Sequence, residues 1–312
     1  MAVNVSSTAA GRSGTATART GSPRTERLAG LWFVLPFLAL FAAFMIWPVV
    51  SGLWQSFFNV SLAGGEASFL GLDNWTEMIG DAAVWDSLWN TVAFTLMSTP
   101  PLVAIALVMA LLANRSGWFG WLLRFAYFAP FVLPVAVVTL IWVWMYQPGF
   151  GLVNAFLTGI GLPEVGWLND ESVAMLSVVI TTTWWTVGFN FLLYLAALQG
   201  IPQHLYEAAA VDGASPRQRL WRVTLPMLRR TTGLIVVLQL VASLKIFDQI
   251  YLMLDGGPNN STRPIIQYIY ETGFTSYRIG YASAISYMFF AVIILISVAQ
   301  FRLFSGRKEE SQ

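Results

Sequence analysis

Gln239, Lys245, Asp248 and Gln249 interrupt a run of residues that is otherwise apolar. Charged groups at membrane depth are costly and rarely face lipid, so such a cluster calls for a reason. Lys245 and Asp248 are three residues apart and would share one face of a helix, close enough to pair. One reading is a salt bridge that holds helices together. Another is a polar pathway that binds solute, which the neighbouring Phe247 and Tyr251 favour, since sugars are held by hydrogen-bonding groups beside aromatic faces. A proton relay is a third reading, thinly supported by one carboxylate next to a lysine. A second cluster is Thr181-Thr182-Thr183-Trp184-Trp185-Thr186-Val187-Gly188-Phe189-Asn190-Phe191. Tandem tryptophans are unusual in mid-span, because Trp prefers the interface. Helical spacing puts Trp184, Gly188 and Phe191 on one face, which suits either ordinary helix packing or stacking on a sugar ring.

Much chemistry is excluded. The chain has no cysteine and one histidine, His204, so disulfides, thiolate catalysis and His-based metal sites are out. A phosphate-binding Gly-x-x-x-x-Gly-Lys-Ser/Thr loop is absent. With 56% hydrophobic and 11% charged residues among 312, and a mean hydropathy of +0.63, the chain reads as an all-α integral membrane protein.

The elements that must carry these clusters are six apolar runs: Leu31–Val50, Leu88–Ala113, Phe125–Tyr146, Val173–Leu198, Leu234–Leu254 and Ile279–Phe301. Each is long enough to cross the hydrocarbon as a helix. Pro100-Pro101, Pro130 and Pro134 fall inside spans and should kink them. Residues 1–28 are poor in large apolar side chains and read as a disordered cytoplasmic tail, with 304–312 as a second one and 29–303 as the six-helix membrane domain between. Fourteen of the 17 Lys and Arg lie in the two tails, the second-to-third connection and the 200–230 loop. The basic side is the cytoplasmic one, so both termini face the cytoplasm. The three outer segments are acidic and carry interfacial tryptophans. No internal repeat is visible.

One cytoplasmic stretch stands apart. Leu205 to Val211 is rich in good helix formers, Gly213 offers a left-handed stop, and Ser215-Pro216 is a capping restart. Leu225-Pro226 closes what reads as a helix–turn–helix outside the bilayer. Glu207-Ala208-Ala209, Gly213 and then Val223-Thr224-Leu225-Pro226 resemble the EAA loop of ABC-importer permeases, with Val223 where the pattern has Ile. Gln199-Gly200-Ile201-Pro202, the Gly188 environment and Asp255-Gly256-Gly257-Pro258 extend the resemblance over about 85–303, toward the maltose-type first permease subunit of the carbohydrate-uptake branch.

The resemblance implies a six-helix type I ABC-importer architecture with its core at 85–303 and a coupling loop at 200–230. It implies ATPase contacts at Glu207, Ala208, Ala209, Asp212, Gly213, Leu225 and Pro226. Solute-contacting positions would fall at Trp184, Val187, Gly188, Phe191, Lys245 and Asp248, with Phe247 beside them. It further implies a non-enzymatic subunit without metal or cofactor, ATP and Mg being held by partner ATPases. The implied partners are a second homologous permease in a heterodimer, two cytoplasmic ATPase subunits, an extracytoplasmic solute-binding protein and membrane lipid, but no nucleic acid. The setting would be a bacterial or archaeal plasma membrane. An importer of a non-sugar solute is the nearest alternative. An ion-coupled secondary transporter would require repeats and ion ligands; a membrane scaffold would have no need of an intramembrane polar cluster.

Overall fold

The computed structural model describes residues 23–115 and 117–305. The chain divides after Ser51 into two units. The first holds α1 (Pro23–Phe41), a π-helical turn at Ala42–Ile46 and the start of α2 (Trp47–Gln55). The segment read as a tail lies outside the described residues up to 22, and its last six residues belong to α1, which corrects that boundary. The C-terminal tail lies outside them from residue 306.

The second unit continues with a two-stranded antiparallel hairpin, β1 (Phe58–Asn59) and β2 (Ser68–Phe69), then α3 (Asp73–Gly80) and α4 (Ala82–Ala113). Next come α5 (Trp118–Phe128), α6 (Val135–Met145), α7 (Leu152–Gly159) and α8 (Glu171–Gln199). After these follow α9 (Gln203–Val211), α10 (Pro216–Arg219), α11 (Leu225–Leu244), α12 (Asp248–Leu254), α13 (Ile265–Tyr270) and α14 (Ile279–Ser305). The core lies where α4, α8 and α11 meet. Ala106 and Ala110 of α4 let α8 approach closely, and Phe191, Tyr194, Leu228 and Ile235 fill the seam.

Five helical stretches are long and apolar enough to cross a membrane, and the pair α5–α6 makes a sixth, bent by 97°. The six-span count therefore stands; the third span is bent where its prolines call for a kink, and the fifth is broken where none was expected. The third breaks at Pro134. Leu133 precedes that proline and is driven into extended backbone (φ −70°, ψ 139°), which ends the short 3-10 turn at Ala129–Val132. The indole Nε1 of Trp185 donates to the Leu133 carbonyl (3.1 Å), satisfying a group the break leaves free.

The fifth span is shifted and broken. It runs as one helical stretch of 29 residues from Pro216 to Leu244 rather than from Leu234 to Leu254. Leu225-Pro226 does not close the helix–turn–helix. A π-helical turn at Leu220–Thr224 absorbs the ring and the missing N–H of Pro226, and the helix carries on. It stops at Lys245, Phe247 takes a non-helical conformation (φ −151°, ψ −69°), and α12 begins at Asp248. Pro100-Pro101, by contrast, does not interrupt α4.

Where α4 begins, Asp81 ties it to α13 and α14. Tyr268 and Tyr281 both donate to its Oδ2 (2.5 and 2.7 Å), and its Oδ1 accepts the Ala83 N–H (2.9 Å). Burial works against the Asp81 carboxylate, but these donors and nearby Arg263 outweigh it and hold its pKa below the usual value. Burial, reinforced by Asp81, pushes Tyr268 up to about 12. A depressed carboxylate stabilises the fold above its unfolded pKa of about 4, and that contribution is lost as pH falls through the lower folded value. The melting temperature should thus drop on acidification below about pH 4, and Asp81→Asn should flatten that dependence. Tyr281→Phe should cost about 1.5–3 kcal/mol at neutral pH, measured as a loss of thermal stability in detergent.

Candidate functional site

The two breaks face the same cavity. Phe131 and Val135 flank the first, Lys245, Ile246, Phe247 and Asp248 form the second, and all line a pocket of about 340 Å³. Irregular backbone is tolerated at membrane depth where it lines a cavity, and broken helices commonly build transporter binding sites. The volume lies in the lower range for small-molecule sites. Phe131, Trp185, Phe189 and Phe247 supply aromatic walls, with Phe131 and Phe189 5.6 Å apart.

The polar floor is held by a chain of hydrogen bonds. Asn190 donates to Gln239 Oε1 (2.8 Å), Gln239 donates to Ser243 Oγ (3.0 Å), and Ser243 shares a proton with Ser98 (3.1 Å). Thr182 Oγ1 lies 2.8 Å from Gln249 Oε1. These links join α4, α8, α11 and α12, so the amides facing the pocket are fixed in place. From Phe247 a ladder of rings continues outward through Tyr251 (5.4 Å) and Tyr270 (5.6 Å) to Phe274, 5.4 Å beyond Tyr270.

Lys245 and Asp248 line this pocket, but they do not share a helix face, because the break separates them. The ion pairs among the described residues are Arg263–Glu271 and Arg278–Glu77, so a Lys245–Asp248 bridge, one of the readings open from the sequence, is not formed. Helix ends explain how both charges persist. Lys245 caps the C-terminus of α11 and Asp248 opens α12, each at the end whose dipole favours it.

The residues picked on α8 fall elsewhere. Thr182, Trp185, Thr186 and Phe189 face the pocket, whereas Trp184, Val187, Gly188 and Phe191 lie on other faces. Trp184 packs edge-on against Trp142 (5.6 Å) and, with Val187, borders a separate apolar cavity of about 660 Å³. Phe191 is fully buried against Tyr127. A Cβ on Gly188 would meet the Tyr127 carbonyl oxygen at 2.7 Å and Phe128 Cα at 3.1 Å, so its close approach is to backbone. Sequence reasoning quoted the pocket-facing α8 residues but chose the neighbouring face. Both faces carry aromatic residues at helical spacing, so no sequence signal separated them.

The 200–230 loop is built by reciprocal caps. Gly213 is left-handed (φ +76°); its N–H bonds to the Ala210 carbonyl (3.1 Å) and that of Ala214 to Ala209 (2.9 Å), a Schellman stop for α9. Ser215 and Gln218 then form a capping box with Pro216 at the first helical position. The Tyr206 and Thr224 hydroxyls, 3.0 Å apart, clasp α9 to the long fifth helix. Glu207, Ala208, Asp212, Gly213 and Pro226 are exposed, Ala209 and Leu225 half-buried. Val211, 88% exposed at the loop tip, is an apolar surface that motif reading missed. No group of three or more acidic or His side chains suited to a metal occurs among the described residues.

Residues 103–309 match the family described as "Binding-protein-dependent transport system inner membrane component". The chain is 33% identical over 279 residues to the sulfoquinovosyl glycerol transport system permease protein SmoG of Agrobacterium fabrum, covering 89% of this chain and 91% of that one. It is 32% identical over 275 residues to the sn-glycerol-3-phosphate transport system permease protein UgpA of Escherichia coli, covering 88% and 93%. Its fold matches a chain of a bacterial ABC transporter for import of the acidic polysaccharide alginate (TM-score 0.79, 23% identity, 92% of this chain and 99% of that one). A second solved structure of a bacterial alginate ABC transporter, in complex with a pentasaccharide-bound periplasmic protein, matches with TM-score 0.78 over 91% of this chain and 96% of that one, at 24% identity. Long apolar helices, a capped elbow and two broken spans around one pocket thus occur in a member of the binding-protein-dependent inner-membrane permease family, a transport subunit and not an enzyme.

Proposed function

We propose that this permease carries a sugar or sugar-like solute through the pocket between its two broken helices and is driven by a partner ATPase acting on the Glu207–Pro226 elbow. The observation that carries this reading is the convergence of both helix breaks on one polar and aromatic cavity. The relatives named for sulfoquinovosyl glycerol and sn-glycerol-3-phosphate transport support a glycosyl or polyol cargo. A second homologous permease closes the pocket from the other side, making a heterodimer. An extracytoplasmic binding protein delivers solute to the outer face. Two cytoplasmic ATPase subunits bind ATP and Mg. The elbow and both termini lie on the cytoplasmic side, in keeping with the basic residues there.

In the proposed cycle, Phe247 stacks on a sugar ring while Lys245 and Asp248 exchange hydrogen bonds with the solute. Glu207, Ala208, Ala209, Asp212 and Gly213 present the elbow to a groove on the ATPase, and Leu225 and Pro226 lie at its junction with the span. Closure of the ATPase pair rocks the helices as rigid bodies. The test is solute-stimulated ATP hydrolysis by the assembled transporter with its binding protein. Lys245→Ala and Asp248→Ala should each raise the solute concentration needed for half-stimulation by ~10-fold, the value of one charged hydrogen bond. Wild-type solute dependence in both variants would remove the pocket from the transport path.

A further inference from the structure

Lys245 is the one lysine among the described residues, and it lines the pocket without a carboxylate partner. An ammonium at membrane depth is expensive, and such groups normally pair with one another or with backbone. Asp248, three residues on, is the obvious partner, yet the break at Phe247 puts it on a separate helix. The end of α11 eases the cost of the lysine charge without neutralising it. Gln239 and Gln249 are buried, and their amides are spent on Asn190, Ser243, Thr182 and the Val178 carbonyl, so the charges a solute can reach in this lining are the exposed Lys245 and Asp248, beside the ring faces of Phe189 and Phe247. An exposed ammonium with no carboxylate within ion-pair reach is matched to a negative charge on the solute.

We propose that the cargo is a glycosyl or polyol solute bearing one anionic group (a phosphate, sulfonate or carboxylate) that Lys245 holds while Asp248 accepts hydroxyl donors at the other end of the pocket. This rests on the reading of the pocket as the solute site. The ammonium acts as a point charge with three donors, so it suits any of these anions and selects by charge rather than by planar geometry. Asp248 keeps the pocket from becoming a general trap for anions, since a small inorganic ion would meet its repulsion without gaining the hydroxyl contacts.

The test uses the assembled transporter in phosphatidylcholine nanodiscs, without binding protein, so that the pocket alone is read. Binding of glucose 6-phosphate, glucuronate and neutral methyl glucoside is measured directly by saturation-transfer NMR and competition. The wild type should favour the two anionic probes over the neutral one by ~10-fold, the equivalent of one charge-assisted contact. Lys245→Met should bring the anionic probes down to the level of the neutral one, and Lys245→Arg should restore the preference. Equal binding of all three probes by the wild type, or a preference that survives Lys245→Met, overturns the proposal while leaving the pocket a solute site. Failure of every probe to bind the wild type overturns the pocket itself. A preference that appears only when anionic lipid is omitted and is competed away by phosphatidylglycerol would assign Lys245 to a lipid headgroup, and would also overturn it.

Discussion

Gly213→Val should abolish most transport while leaving the helices inserted. At φ +76° a β-branched side chain is strained by its own backbone, although nothing lies within 4 Å of where its Cβ would sit. The cost of about 1–2 kcal/mol falls on a turn whose two Schellman hydrogen bonds fix the angle between α9 and the long fifth helix. The cheapest relief is to unwind that turn, which moves the Glu207 face away from the ATPase. We expect ATP-driven uptake in vesicles to fall about 5–30-fold, with unchanged expression and membrane insertion. Gly213→Asn should retain most activity, because Asn tolerates the left-handed region. Wild-type uptake by the valine variant would count against a rigid elbow.

Gly188→Val should instead remove folded protein. The site lies on α8, and the nearest atoms a side chain would strike are backbone of Tyr127 and Phe128 at the end of α5, which cannot rotate aside. Overpacking of this kind costs about 1–3 kcal/mol even for a modest side chain, and valine adds two methyls to a contact already closed for one carbon. The expected result is a sharp drop in monodisperse yield and melting temperature, with Gly188→Ala in between. If Gly188→Val were as stable as wild type yet altered in solute preference, the solute-contacting role implied by family resemblance would regain support and the packing role would fail.

The count and length of the spans were legible because apolar runs of twenty residues admit few other structures. Gly213, Ser215 and Pro216 were legible because each has a backbone preference that few other residues share. The break at Lys245–Phe247 was not, since Ile246, Phe247 and Ile250 prolong the apolar run with no Gly or Pro to mark a stop. The charges at 245 and 248 were its trace, read as a pair on one helix instead of as two helix ends. Pro226 misled in the opposite direction: it signals an end, but a π-helical turn beside it let the helix continue. On α8 the error was one of face. The helix is apolar nearly all round, so nothing in the spacing distinguished Trp184 and Phe191 from Trp185 and Phe189 as the cavity side.

The unbroken stretch from Pro216 to Leu244 has a corollary for regulation. At 1.5 Å per residue its 29 residues make a shaft of roughly 43 Å, with the elbow at one end and Lys245 at the other. A stiff shaft needs no relay of intermediate contacts: swinging one tip by ~5° displaces the opposite tip by ~4 Å. On the proposed reading of pocket and elbow, thermodynamic reciprocity demands that cargo arriving beside Lys245 retune the grip of the nucleotide-binding subunits by the same factor as their closure retunes the hold on cargo. An empty transporter would idle for that reason, with its motor loosely engaged until something occupies the far end.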